Sequence, residues 1–118
     1  MISMRETYEK IGANYDDACT RLMGEEMLAR FALKFLDDES MDKLEAAMAA
    51  GDAKEAFMAA HTLKGVSQNL GFDNLYEPAV VVTEALRGAD TVDGAREGMH
   101  ALQQQYAATM SALREAAA

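Results

Sequence analysis

Gly24, Gly51, Gly71 and Gly88 divide this chain into stretches of helical length. Within each stretch, apolar residues recur at the spacing of one helix face. Ala, Glu, Leu and Met are abundant, and all favour helices. β-Branched residues run together once, at Val80–Thr83, and Pro78 is the single proline. The pattern predicts an all-α fold: an antiparallel four-helix bundle with one or two short extra N-terminal helices.

Asn14 reads as an N-cap, with Asp17 in the first turn of a short helix through about Met23. Glu25 to Leu36 follows, with Leu28, Phe31, Phe35 and Leu36 on one face. Asp37, Asp38 and Glu39 suit the first turn of the next helix, where negative charge meets the positive end of the dipole. That helix carries Met41, Leu44 and Met48 and stops at Gly51. Asp52 and Glu55 have the spacing of a capping box, opening a helix to Asn69 or Leu70. Asn74 to Arg87 forms a further segment. Pro78 lies inside it and costs about 3 kcal/mol in a helix interior, so a later start or a kink is expected. The last helix begins near Val92, with Ala95, Met99, Leu102, Tyr106 and Leu113 along its stripe. Tyr8, Tyr15 and Tyr106 are expected to pack the bundle.

The length of 118 residues fits one domain. Residues 14–114 are expected to form it, with 1–13 an N-terminal extension and 115–118 a frayed tail. The net charge of −9 argues against nucleic acid or an anionic membrane surface as a partner. No apolar run reaches the length of a membrane span, and Met1 to Lys10 lacks the apolar stretch of a secretion signal. Cys19 is the sole cysteine, which favours a reducing, cytoplasmic setting. Each helix has a polar face, so a monomer is expected. His61 and His100 are the two histidines and show no metal-ligand spacing. His100 reads as a surface residue, and the acidic clusters as helix starts and solvated surface.

The chemical signal lies on the helix from Asp52. At about 100° per residue, Ala56, Ala59, Ala60, Leu63, Val66, Ser67 and Leu70 form its core face. Lys54, Phe57, His61, Lys64, Gly65 and Gln68 lie opposite, with Met58 at the margin. His61 therefore points to solvent. Gly65, one turn on, costs about 1 kcal/mol relative to alanine in a helix and leaves the space beside the imidazole empty. Lys64 can bring its ammonium to the same spot. Phe57 and Met58 supply an apolar collar one turn earlier.

Ala60-His61-Thr62-Leu63-Lys64-Gly65, followed by Leu70-Gly71, resembles the histidine-containing phosphotransfer (HPt) domain family of two-component phosphorelays. That family carries H-x-x-K-G on a helix with a second glycine at the helix end. Gly51-Asp52, Phe35 and Glu84-Ala85-Leu86 fit its usual spacing, and the likeness spans roughly Asn14 to Leu113. The resemblance implies that His61, through Nε2, accepts a phosphoryl group from a receiver-domain phospho-aspartate and passes it to another receiver aspartate. Lys64 would offset the phosphoryl charge and Gly65 would give clearance. Phe57, Met58 and Lys54 would meet the partner. Receiver domains of response regulators, and a hybrid histidine kinase, are the implied partners. The receiver would supply Mg²⁺, and the chain itself would need no cofactor.

Many members place a glutamine twenty-two residues after the histidine, where it hydrogen-bonds the imidazole. Here that position is Thr83, which is shorter. The support of the imidazole stays open between Thr83 and Gln68, which shares the His61 face. No P-loop is present. Thr62 follows His61 where the dimerising domain of a sensor kinase carries a carboxylate. The expected role is thus a phosphocarrier without ATP-dependent kinase activity. Two alternatives remain: the phospho-acceptor domain of a chemotaxis-type kinase, which has a very similar motif, and a non-phosphorylated helical adaptor using the Phe57/Met58 patch.

Overall fold

The computed structural model describes residues 2–118; Met1, the first residue of the expected extension, lies outside them. The described residues form α1 (Met4–Ile11), α2 (Tyr15–Arg21), α3 (Glu25–Lys34), α4 (Ser40–Ala50), α5 (Ala53–Asn69), α6 (Asp73–Leu86) and α7 (Arg96–Ala117). Single 3₁₀ turns at Phe35–Asp37 and Asp93–Ala95 lead into α4 and α7. Helices α4 to α7 pack in sequence, each on the next, and α1 lies against α7. This is the bundle with extra N-terminal helices that the pattern predicts.

The caps explain most of the boundaries. Asn14 Oδ1 accepts from the Asp17 N–H at 3.0 Å, and Asp52 Oδ1 accepts from the Glu55 N–H at 3.1 Å. Only this half of the expected capping box forms, because the Asp52 N–H is already donated to the Ala47 carbonyl at 2.9 Å. The acidic cluster stands just ahead of α4 rather than in its first turn. Glu39 precedes the helix, and Asp38 Oδ2 accepts from the Ser40 N–H.

Four expectations change. First, the buried stripe of α3 runs through Leu28, Ala32 and Phe35 at ordinary helical spacing, which leaves Phe31 at its edge and 39% exposed, and the helix ends in the 3₁₀ turn at Phe35. Second, α6 starts at Asp73, one residue earlier than expected, so Pro78 stands inside it. The Asn74 side chain ties that first turn to α7 through Gln105 at 3.1 Å and Thr109 at 2.9 Å. Third, α7 stays helical to Ala117, and Glu115 pairs with Lys10 at 2.8 Å. Fourth, residues 4–11 are a helix whose Tyr8 is fully buried, so most of the expected extension is part of the packed structure.

Tyr8 meets Phe72 at 5.3 Å and Tyr15 at 5.6 Å, and Phe72 meets Phe35 at 5.5 Å. Phe35 also meets Tyr106 at 6.1 Å. Such aromatic pairs add to the burial of their area. This cluster lies beneath the C-terminal end of α5. There, the Tyr8 hydroxyl donates to the Leu70 carbonyl at 2.7 Å, the Asn14 N–H to the Gly71 carbonyl at 2.8 Å, and Arg21 to the Gln68 carbonyl. Helix ends leave carbonyls without intrahelical partners. Here α1, α2 and Asn14 between them bind three carbonyls at or just past the end of α5 and hold it in place.

Candidate functional site

Helix α5 buries the face expected of it, except that Val66 is half-buried. Ala56, Ala60, Leu63 and Ser67 are inaccessible, and Ala59 and Leu70 nearly so. Alanines at three of these positions let α4 and α6 approach closely. Fixing that face fixes the other: Lys54, His61, Gly65 and Gln68 are exposed. His61 stands mid-helix on a backbone held at both ends.

A Cβ added to Gly65 would meet nothing within 4 Å. The glycine is therefore not needed for helix packing, and the space beside His61 is open. Lys64 is half-buried along its stem. Met58 is 57% exposed and borders a groove between α4 and α5 together with Lys43, Ala46, Glu55 and Thr62.

Phe57 is less free than the sequence suggests. It is half-buried and packs against the core. Its ring stacks on the His61 imidazole, with centroids 5.9 Å apart and planes 20° apart. The Arg87 guanidinium lies 5.1 Å from the same ring centroid. Arg87 is in turn held by Glu84, with Nε to Oε2 at 2.7 Å and Nη2 to Oε1 at 3.3 Å. The hydrogen bonds from Arg87 hold the Glu84 carboxyl below the usual carboxylate range, and the charges of Arg87 and Lys64 add to this. Glu84 and Arg87 thus join the His61 face from α6. Sequence reasoning placed Glu84 by spacing alone and missed Arg87. Its position just before Gly88, at the end of the neighbouring antiparallel helix, is the signal that could have found it.

Thr83 does not serve the imidazole. It is fully buried, and its hydroxyl donates to the Ala79 carbonyl of its own helix at 2.7 Å. Gln68 lies about 10.5 Å along the helix axis from His61, seven residues at about 1.5 Å each, and no hydrogen bond joins the two side chains. Lys54 lies equally far on the other side. His100 is exposed on α7, beside a groove lined by Glu45, Arg96 and Gln103.

An exposed imidazole with open space on one side, Lys64 one turn along its helix and Arg87 beyond the Phe57 ring suits a nucleophile that ends up carrying an anion. The family model described as the Hpt domain matches residues 26–116. No curated protein and no solved structure matches this chain. The matched region holds α4 to α6 and nearly all of α3 and α7, whereas α1 and α2 precede it.

Proposed function

From the premise that this chain belongs to the Hpt domain family, a family of phosphocarriers in two-component signalling, we propose that His61 is its phosphoryl acceptor and that it relays the group between receiver domains. The observation that carries this reading is the exposed His61 imidazole on α5, with Lys64 beside it and open space at Gly65.

The lone pair of His61 Nε2 attacks the phosphorus of a receiver's aspartyl phosphate. The N–P bond forms as the P–O bond to the aspartyl oxygen breaks, and the aspartate leaves as a carboxylate. The Nδ1 proton stays on the ring during the attack. Transfer onward is the reverse, with a second receiver's aspartate as nucleophile. Such reactions depend on positioning and charge neutralisation more than on covalent help from the protein. The bundle positions the ring, Phe57 limits its rotation by stacking, and Lys64 neutralises phosphoryl charge. Mg²⁺ comes with the receiver, in keeping with its acidic pocket. Lys64 beside His61, and Lys54 two turns earlier on the same face of α5, put positive charge on that face in a chain of net charge −9, which favours docking of that pocket. Met58 and Phe57 supply apolar contact.

The test is a relay in two steps. The protein is mixed with a panel of ³²P-labelled receiver domains, re-isolated, and offered to a second, unlabelled panel. The reading predicts an acid-labile, base-stable label that moves on to the second receiver. Binding of a receiver without any label transfer would favour the adaptor role instead.

A further inference from the structure

We propose that Glu84 is a positioning residue that holds Arg87 away from His61, so that a phosphoryl group on the imidazole competes with a resident carboxylate for its cations. The proposal rests on the reading of His61 as phosphoryl acceptor. Glu84 grips the guanidinium at two points, at 2.7 and 3.3 Å. That guanidinium sits one aromatic ring from the imidazole, over Phe57 at 5.1 Å. Lys64 feels the same carboxylate, since its charge helps keep Glu84 ionised.

A phosphoryl dianion is a stronger partner for arginine and lysine than a carboxylate, and guanidinium binds either one at two points. Arg87 is exposed over Phe57 and held by Glu84, so a better anion on the ring must draw it from that carboxylate. In the free protein, however, the first claim on Arg87 belongs to Glu84. The phosphohistidine therefore gains less from Arg87 than it would with Glu84 neutral. A carrier must release what it accepts, and a phosphoryl group stabilised too well would stay. Glu84 sets that balance. Thr83, its neighbour on α6, is buried and bonded to Ala79 and takes no part.

The experiment uses phosphoramidate, which needs no receiver. Its P–N bond breaks as the N–P bond to His61 Nε2 forms; the phosphoramidate nitrogen, already protonated, leaves as ammonia, and the Nδ1 proton stays on the ring. At a fixed ratio of phosphoramidate to ammonium, the plateau occupancy of His61, read by intact mass and ³¹P NMR, gives an equilibrium constant. Glu84→Gln should raise that constant about two- to fivefold, the scale of exposed charge pairs. The gain should shrink in about 1 M salt, where screening reaches about 3 Å. Arg87→Gln should lower the constant, and the double variant should lose the gain. Melting curves on the same samples should coincide, because both side chains are exposed. A purely structural role would change melting without this salt-dependent shift. Glu84→Gln matching the parent, with His61 labelled in both, overturns the proposal alone. A parent that takes no phosphoryl group on His61 overturns both the proposal and the reading beneath it.

Discussion

The Tyr8 hydroxyl donates a 2.7 Å hydrogen bond to the carbonyl oxygen of Leu70, joining the first helix to the end of the helix that carries His61. Both residues are buried, so the carbonyl has no water to turn to if the hydroxyl is lost. Tyr8→Phe keeps the ring among Phe72 and Tyr15 and removes only that bond. It should cost about 1–3 kcal/mol, the penalty of a buried unpaired polar group. Denaturant unfolding of the two proteins measures it; equal midpoints would show that α1 does not secure α5.

Two glycines on or beside α5 should respond in opposite ways. Gly65 is helical with open space around it, so Gly65→Ala should stabilise by about 1 kcal/mol. Gly65→Gln should also fold, but it sets a side chain beside the imidazole and should transfer phosphate poorly. Gly71 has φ +70° and a Cβ there would lie 2.7 Å from the Asn14 carbonyl oxygen and 2.9 Å from Ala18 Cβ. Gly71→Ala should therefore destabilise by about 2 kcal/mol or more. Melting temperature and transfer rate on the same samples separate clearance from packing. Full transfer by Gly65→Gln would remove the clearance role.

Met58 and Phe57 should also part company. Met58→Ser removes an exposed apolar contact, so receiver binding should weaken while melting stays near the parent. Phe57→Ser also removes a half-buried ring packed on the core and stacked on His61, and should lower stability and transfer together. Calorimetry of folding and of receiver binding distinguishes the two. Loss of stability in Met58→Ser would show that it is a packing residue.

The parts of the molecule legible in the sequence are those set by local spacing. The buried alanines and Leu63 of α5, the Asp52 cap and the outward His61 follow from a period of about 3.6 residues and a capping oxygen. The unread parts depend on distant partners. Tyr8 belongs to the bundle because of a carbonyl 62 residues away. Phe31 is exposed because the stripe that α3 buries runs through Leu28, Ala32 and Phe35 and leaves it at the edge. Thr83 is turned inward by the packing of α6 on α5, and its hydroxyl, left without a partner there, bonds to its own helix. Arg87 reaches the site across Phe57, a contact between helices that no spacing along one helix encodes.

Alkali should unfold the protein through its tyrosines. Burial pushes the Tyr8 hydroxyl well above the ordinary value of 10.0, with nearby Cys19 and Tyr15 adding to the shift. Burial also raises Tyr15, and its 2.7 Å hydrogen bond to Glu25 raises it further. The folded state thus holds these protons more tightly than the unfolded chain. The stability they contribute is whole below the unfolded value near 10.0 and is lost as pH climbs toward the raised folded values. Denaturant midpoints should fall above that pH, with tyrosinate absorbance rising alongside unfolding. Ionisation of Tyr8 in a still-folded protein near the ordinary value would contradict its burial.

The central claim is that His61 carries the phosphoryl group, and the most direct measurement is peptide-level mass spectrometry of the protein after exposure to a phosphorylated receiver domain. The account predicts one phosphorylated residue, His61, labile to acid and stable to base. It also predicts no label on the folded His61→Gln variant under the same conditions. Phosphate taken up by His61→Gln at the parent rate, or found on His100 instead, would contradict it.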